Sequence, residues 1–268
     1  MNSKAFTLIE LLVVISIIGL LASIVLASLE GGEQRAITGK AMSFSHTVRV
    51  SLGSDLVGEW KFEEGSGITA KDSSGSDNHG TLVNSPQWVA GIFGKALEFN
   101  GSTNYVRVPD SQDLRIENEI TLEAWVNSKD LDRSSYIINK RHSSSTLAWR
   151  SYTIGCGSNK FRFYISDASQ TYTLYTNNTY NGNEWHHIVG TWDGNNMRIY
   201  VNASEDGLMP KTGSIPYDTN YLYIGGFDST PEFIGTIDEV RIYDHALDMA
   251  EIQQLYAEGA VEHSLVLK

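Results

Sequence analysis

The sequence predicts a mainly β protein: a long amino-terminal α-helix, then an antiparallel β-sandwich of jelly-roll type with a short carboxy-terminal helix. Three observations lead there. Residues 11–29 form an apolar run without a single charge, and apolar positions continue beyond it at helical spacing. From Leu56 onward, short stretches rich in Val, Ile, Tyr, Phe and Trp are separated by Gly, Asn, Asp and Ser turns. Near the end, Asp248 followed three residues later by Glu251 spells a helix-capping box.

With 268 residues, 41% hydrophobic and 19% charged, the chain fits one ordinary globular domain plus an appendage. Its formal charge of -12 argues against a nucleic-acid partner, because phosphate binding needs clustered Lys and Arg and no such cluster occurs. Cys156 is the sole cysteine, which excludes an internal disulfide and a cysteine-built zinc site. It reads as a small buried residue.

The nineteen residues Leu11–Leu29 rise about 1.5 Å each, enough for the roughly 30 Å of hydrocarbon in one bilayer crossing. Glu10 stands at the head of this run. A carboxylate deep in a membrane costs about 2.5–3.5 kcal/mol on insertion scales, so one found there is usually paired and functional. A secretory signal would use Lys4 as its positive flank and Val25-Leu26-Ala27 as its cleavage site. The core of such a signal spans only roughly 7–15 residues, however, and Glu10 would serve nothing in a discarded segment. After Leu29, the positions Ala36, Ile37, Ala41, Phe44, Val48 and Leu52 continue an apolar stripe, so one helix of about 70 Å can run from Phe6 to residue 53. Gly31-Gly32 is its weak point, and Gly53-Ser54-Asp55 ends it.

Ala5, then Phe6-Thr7-Leu8-Ile9-Glu10, then an unbroken apolar helix containing Gly19, closely resemble the amino terminus of type IV pilins and the related type II secretion pseudopilins. The resemblance implies that a prepilin peptidase cuts between Ala5 and Phe6 and methylates the new amine. It divides the chain into a leader (1–5) and a pilin-like helix (6–53), of which about 6–29 spans the membrane before assembly. Glu10 becomes the assembly carboxylate, paired with the Phe6 amine of a neighbouring subunit. Both groups are charged at neutral pH, since an α-amine titrates at about 8, and neither is tolerable alone in a low-dielectric fibre core. The implied location is the bacterial inner membrane for the precursor and then a cell-surface filament, as a homo-oligomer or a co-polymer with other pilins. The chain departs from the pattern in three ways. Ala5 stands where the family usually has Gly, no proline precedes Pro86, and the single cysteine excludes the disulfide loop common in pilin heads.

Beyond the helix, Phe161, Phe163 and Ile165 alternate with Arg162 and Tyr164, while Met197, Ile199 and Val201 alternate with Arg198 and Tyr200. Such strands are half buried. About thirteen of them in residues 54–258 suit a jelly roll better than a seven-stranded immunoglobulin sandwich. Leu247 and Ile252 occupy the staple positions around the capping box and Gly259 closes the helix, which leaves 259–268 as a tail. The blocks EWKFEEGSG (59–67), KDSSGSDNHGTL (71–82), GKALEFNGSTNYVRVP (94–109), ITLEAWV (120–126), EWHHIVGTWDG (184–194) and IGTIDEVRIYDHALDMAEIQQLY (234–256) resemble the laminin-G-like, concanavalin-A-like lectin/glucanase domains of bacterial surface proteins. Ala203 stands where that family usually has Gly.

Members of this family often hold a structural calcium ion through the Asp of the DSSG block and the Asp of the IDEV block, which the resemblance carries over to Asp72 and Asp238. Alternation alone places Asp238 on the side of Val240 and Ile242, facing the core, where a buried charge needs compensation. Backbone amides, an arginine or calcium, which suits hard oxygen ligands, could each supply it. His186 and His187 are adjacent on a strand and point to opposite faces, so they cannot share one ion. A retaining glucanase needs two carboxylates about 5–5.5 Å apart on one face. The 32 Asp and Glu positions contain no i, i+2, i+4 or i, i+2, i+5 triple, so the head is read as non-enzymatic. Trp149, Tyr152, Tyr164, Tyr172, Tyr175 and Tyr180 offer aromatic platforms for sugar, although rings in a jelly roll mostly pack. The expected function is a filament subunit displaying an adhesive, carbohydrate- or protein-binding domain whose weak contacts multiply along the fibre. A secretion pseudopilin would keep the same anchor; a membrane-tethered glycan hydrolase lacks the carboxylates.

Overall fold

The computed structural model describes residues 55–140, 151–167, 169–216, 219–227 and 233–266. The chain divides into two units, Met1–Leu52 and Gly53–Lys268. The helix expected over 6–53, with Ala5, Phe6 and Glu10, lies outside the described residues. Among the described residues no helix is long and apolar enough to cross a membrane.

Sixteen strands are described. In chain order they are β1 (Leu56–Trp60), β2 (Thr69–Ala70), β3 (Gly80–Val83), β4 (Gln87–Ala90), β5 (Lys95–Asn100), β6 (Tyr105–Val108), β7 (Ile120–Ser128) and β8 (Ser135–Lys140). Then come β9 (Tyr152–Gly157), β10 (Lys160–Ser166), β11 (Thr171–Tyr175), β12 (Trp185–Trp192), β13 (Asn196–Val201), β14 (Ser204–Pro210), β15 (Leu222–Ile224) and β16 (Ile234–Tyr243), followed by helix α1 (Met249–Val266). The count exceeds the expected thirteen because strands such as β2 and β15 are only 2 and 3 residues long, too short to show a period.

Two antiparallel sheets result. The first runs β14-β13-β12-β7-β16-β5-β4, with β1 also on β16, and the second runs β11-β10-β9-β8-β15-β6-β3-β2. Side-chain alternation fills the space between them. Leu122, Ala124 and Val126 of β7, Ile188 and Trp192 of β12, and Phe161, Phe163 and Ile165 of β10 all enter one core. Burying each such side chain stabilises the fold by about 1.5–3 kcal/mol. At Gly190 a Cβ would come within 2.8 Å of the Phe163 ring, so the missing side chain is what lets that ring cross from the opposite sheet. The two-residue turn between β13 and β14 is Asn202-Ala203, with φ of 50° and 61°. Ala203 holds the left-handed conformation that a glycine would adopt without the roughly 1–2 kcal/mol of strain.

The expected side of Asp238 is corrected by the structure. Ile237 pairs with Val126 and both lie in the core, whereas Asp238 pairs with Trp125 on the opposite face. One extra residue, Glu239 at φ 47°, is then inserted before Arg241 meets Glu123. This bulge shifts the phase of alternation, so Val240 and Ile242 face the core and Asp238 does not.

On the outer face of the first sheet, Arg241 ties three strands together. Its Nε donates to Glu59 Oε1 at 2.9 Å, Nη1 to Glu123 Oε1 at 3.0 Å, and Nη2 to Glu239. His187 Nε2 contacts Glu123 Oε1 at 2.9 Å and Tyr243 donates its hydroxyl proton to Glu123 Oε2. Burial opposes ionisation of Glu123, but the Arg241 charge and the His187 bond hold its pKa below the usual carboxylate range. Glu239 lacks that surplus of cation: burial, with Glu59 and Glu123 nearby, pushes it up to about 7 against the pull of Arg241.

Helix α1 starts as its capping box requires. Ala250 and Glu251 donate their amides to Asp248 Oδ1, and Asp248 donates its own to Glu251 Oε2 at 2.8 Å. Ile252 and Leu255 are buried. The helix does not end at Gly259, as expected for a tail over 259–268, but continues to Val266. Gly259 serves close approach: a Cβ there would come within 2.3 Å of the Trp125 ring.

Candidate functional site

Asp72 and Asp238 are both buried, and each is held by its own set of amides. Asp72 Oδ1 accepts from Glu59 N at 2.8 Å and Ser74 N at 2.9 Å; Oδ2 accepts from Ser74 Oγ at 2.9 Å and Asn78 N at 2.8 Å. These bonds fasten the 72–78 turn to β1. Asp238 Oδ2 accepts from Ile92 N at 2.9 Å and Phe93 N at 3.1 Å, and Oδ1 accepts from Glu239 N at 2.9 Å. Burial and the Glu239 charge push Asp238 up to about 8 despite these three donors. Among the described residues the two carboxylates share no hydrogen-bond partner. Calcium takes about 6–8 oxygen ligands. Asp72 accepts four hydrogen bonds, and among the described residues no three His, Cys, Asp or Glu side chains form a metal group. The compensation on view for both carboxylates comes mostly from backbone amides.

His186 and His187 do point opposite ways. His186 packs on Phe161 and Tyr180, with Nε2 at 3.0 Å from the Asn181 carbonyl oxygen, whereas His187 packs on Trp125 beside Glu123. Cys156 is buried, and burial pushes its thiol pKa up.

The aromatic supply divides between core and surface. Tyr152 lies in the core and donates its hydroxyl proton to Leu114 O at 2.8 Å. Tyr172 and Tyr180 pack against that core, and Tyr180 also donates to Asp206 Oδ2 at 2.6 Å. Trp149 lies outside the described residues. Tyr164 and Tyr175 point away from the core, onto the outer face of the second sheet.

Register builds that face. Thr81, Arg107, Tyr223, Asn139, Thr153, Tyr164 and Thr173 are successive cross-strand partners on β3, β6, β15, β8, β9, β10 and β11. Each alternates with a core residue, so all seven share one side. Rings cluster at one end of the row: Tyr223 lies 5.6 Å from Tyr105, 5.0 Å from Phe227 and 6.2 Å from Tyr221, edge to face in each pair. The Arg107 guanidinium sits 4.9 Å from the centre of the Tyr221 ring, which is 42% exposed. At the other end Arg162 lies over Tyr164 at 5.4 Å and donates to Ser134 Oγ at 2.9 Å, while its buried Nε has no partner among the described residues. Thr153 Oγ1 donates to Asn139 Oδ1 at 2.8 Å between them. No carboxylate interrupts the row. Sequence reasoning missed Tyr105, Arg107, Tyr221, Tyr223 and Phe227, although the alternate positions in YVRV and YLY were the signal for four of them.

Comparison with known proteins bears on the fold and on the amino terminus. Residues 1–26 match the prokaryotic N-terminal methylation motif, and residues 100–253 match the family described as the concanavalin A-like lectin/glucanases superfamily, over more than half of the chain. No curated protein matches the chain. Among solved structures, domain 4 of AbnA, a GH43 extracellular arabinanase from Geobacillus stearothermophilus, in complex with arabinotriose, aligns with a TM-score of 0.63 at 20% identity, covering 75% of this chain and 98% of that one. The binding domain of Paraclostridial Mosquitocidal Protein 1 aligns with a TM-score of 0.64 at 17% identity over 77% of this chain and 53% of its own. The botulinum neurotoxin serotype D ligand binding domain, in complex with N-acetylneuraminic acid, gives 0.64 at 16% over 79% and 52%. The chain thus spans about half the length of these two toxin chains, and at such identities the likeness is one of fold. Sandwich topology, matched residues and amino-terminal motif agree: the chain carries a type IV pilin-type methylation motif and belongs to the concanavalin A-like lectin/glucanase superfamily.

Proposed function

We propose that this protein is a type IV pilin-like filament subunit that displays a carbohydrate-binding sandwich outside the cell. One observation carries the reading: a methylation motif over residues 1–26 is joined in one chain to a lectin-family sandwich. The motif supplies prepilin peptidase processing, membrane insertion of the precursor and assembly with other pilins; the sandwich supplies the displayed surface. Binding without turnover is supported by the state of the carboxylates. Glu59, Glu123 and Glu239 are engaged by Arg241, Asp130 accepts the amides of Asp132 and Arg133, and Glu119 lies 3.0 Å from His245. Each of these five is engaged within the fold, unlike the two free carboxylates that glycoside hydrolysis requires.

Within this reading the glycan lies on the outer face of the second sheet. Tyr221, propped by the buried Tyr223, offers an apolar face to sugar C–H groups, and Arg107 offers donors to hydroxyl or carboxylate oxygens. In a screen of the detergent-solubilised full chain against immobilised glycans, the double variant Arg107→Ala/Tyr221→Ala is expected to bind its best glycan at least about tenfold more weakly, about 1.4 kcal/mol. Tyr221 is exposed, Arg107 is half-buried, and neither enters the core, so folding is retained. Equal binding by the variant would overturn this placement.

A further inference from the structure

A cavity of about 400 Å³ lies beside α1, away from the face just described. Three rings line it: Trp125 of β7, Trp185 at the start of β12 and Tyr256 of α1. Between them stand the amides of Asn127, Asn183 and Asn202, and the carboxylate of Glu184. We infer that this cavity is a separate ligand site for an uncharged pyranose sugar. The inference concerns different residues from the outer-face reading and stands whether or not that reading does.

The volume falls within the roughly 300–1,000 Å³ of small-molecule sites, and the lining has their usual make-up of aromatic walls with a few polar groups. A pyranose has an apolar C–H face that packs on an indole or phenol ring, and a rim of hydroxyls that each donate and accept. Asparagine amides carry both functions on one side chain. Among the described residues, the side chains of Asn127, Asn183 and Glu184 make no intramolecular hydrogen bond, so their donors and acceptors are available. The charge of the lining sets the selectivity. Among the described residues it holds a carboxylate and no cation, so an acidic sugar would place like charges side by side. The outer face of the second sheet, with Arg107 and Arg162, has the opposite bias.

The walls are fixed before any ligand arrives. Trp125 and Tyr256 stack at 5.6 Å with only 13° between their planes, and Gly259 lets the helix close on Trp125. Trp185 lies directly opposite Asn127 in the β12–β7 register. Asn202 is held by two bonds, its N to His187 O at 2.9 Å and His187 N to its Oδ1 at 3.0 Å, which leaves its Nδ2 to donate elsewhere. Ile92 closes a further wall, and its amide is pinned by Asp238. Rigid walls of this kind reduce the ordering cost of binding.

The test titrates the full chain, in a detergent without sugar headgroups, with methyl β-galactoside, methyl β-glucoside, methyl α-mannoside and N-acetylneuraminic acid, read by saturation-transfer NMR. At least one neutral glycoside is expected to bind in the millimolar range and N-acetylneuraminic acid to bind at least about tenfold more weakly at this site. Trp185→Ala weakens the neutral glycoside about tenfold or more. Trp185 is half buried, so the exposed Glu184→Gln provides a second arm: it keeps neutral binding and narrows the gap to N-acetylneuraminic acid. The inference fails if no neutral glycoside binds the wild type at tens of millimolar, if Trp185→Ala binds normally, or if Glu184→Gln leaves the gap as it was.

Discussion

Arg241→Met is expected to destabilise the sandwich by about 3–5 kcal/mol, a large part of the roughly 5–15 kcal/mol that holds a typical domain together. The guanidinium is the shared partner of Glu59, Glu123 and Glu239, and methionine fills its space while leaving three buried carboxylates to face one another. Denaturant unfolding followed by tryptophan fluorescence measures the loss. Its pH dependence identifies the cause. In the wild type, Glu123 has a depressed pKa, so its stabilisation is present above its unfolded value near 4.5 and is lost as pH falls through the folded value. Glu239, raised to about 7, works the other way: its contribution is full below 4.5 and is lost as pH rises through 7. In Arg241→Met every one of these acids gains from protonation, so the deficit shrinks as pH falls from 8 toward 5. A deficit independent of pH would mean that packing, not charge, is what Arg241 supplies.

Glu10→Ala is expected to abolish incorporation into filaments while leaving the precursor in the membrane. The apolar run of residues 11–29 is untouched, so insertion has no reason to fail. On the proposed filament reading, what changes is the pairing in the fibre, where the Phe6 amine of one subunit would lose the carboxylate of its neighbour. Stranding one member of a buried ion pair costs about 3–5 kcal/mol, more than about a hundredfold in each assembly step. Immunoblots of sheared filaments against membrane fractions read the outcome. Normal amounts of the variant in filaments would count directly against the pairing.

Much of the head could be read from its residues because its signals are local. The alternation of Phe161 to Ile165 put the right side chains in the core and Arg162 and Tyr164 outside, and the Asp248–Glu251 capping box began α1 where expected. The same alternation marked Tyr105 and Arg107, but nothing local says that β6 lies beside β15, so the cluster around Tyr223 needed the sheet order. Two misreadings share a cause. The bulge at Glu239 places a non-glycine residue at positive φ, which no composition signal announces, and it turned Asp238 to the other face. Gly259 looks like a helix stop until Trp125, 134 positions earlier in the chain (259 − 125), is known to press against it. The cavity was illegible for the same reason: Ile92, Trp125, Trp185, Asn202 and Tyr256 come from five parts of the chain, and only tertiary packing brings them together.

Mass spectrometry of the mature amino terminus, on protein taken from its native cells, tests the filament reading most directly. An amino-terminal N-methylated Phe6, with Met1 to Ala5 removed, is the result expected of a prepilin peptidase substrate whose Glu10 awaits a neighbouring amine. A chain that keeps Met1, or one that begins beyond residue 29 with the apolar segment gone, would leave the sandwich intact and contradict its assembly into a pilus.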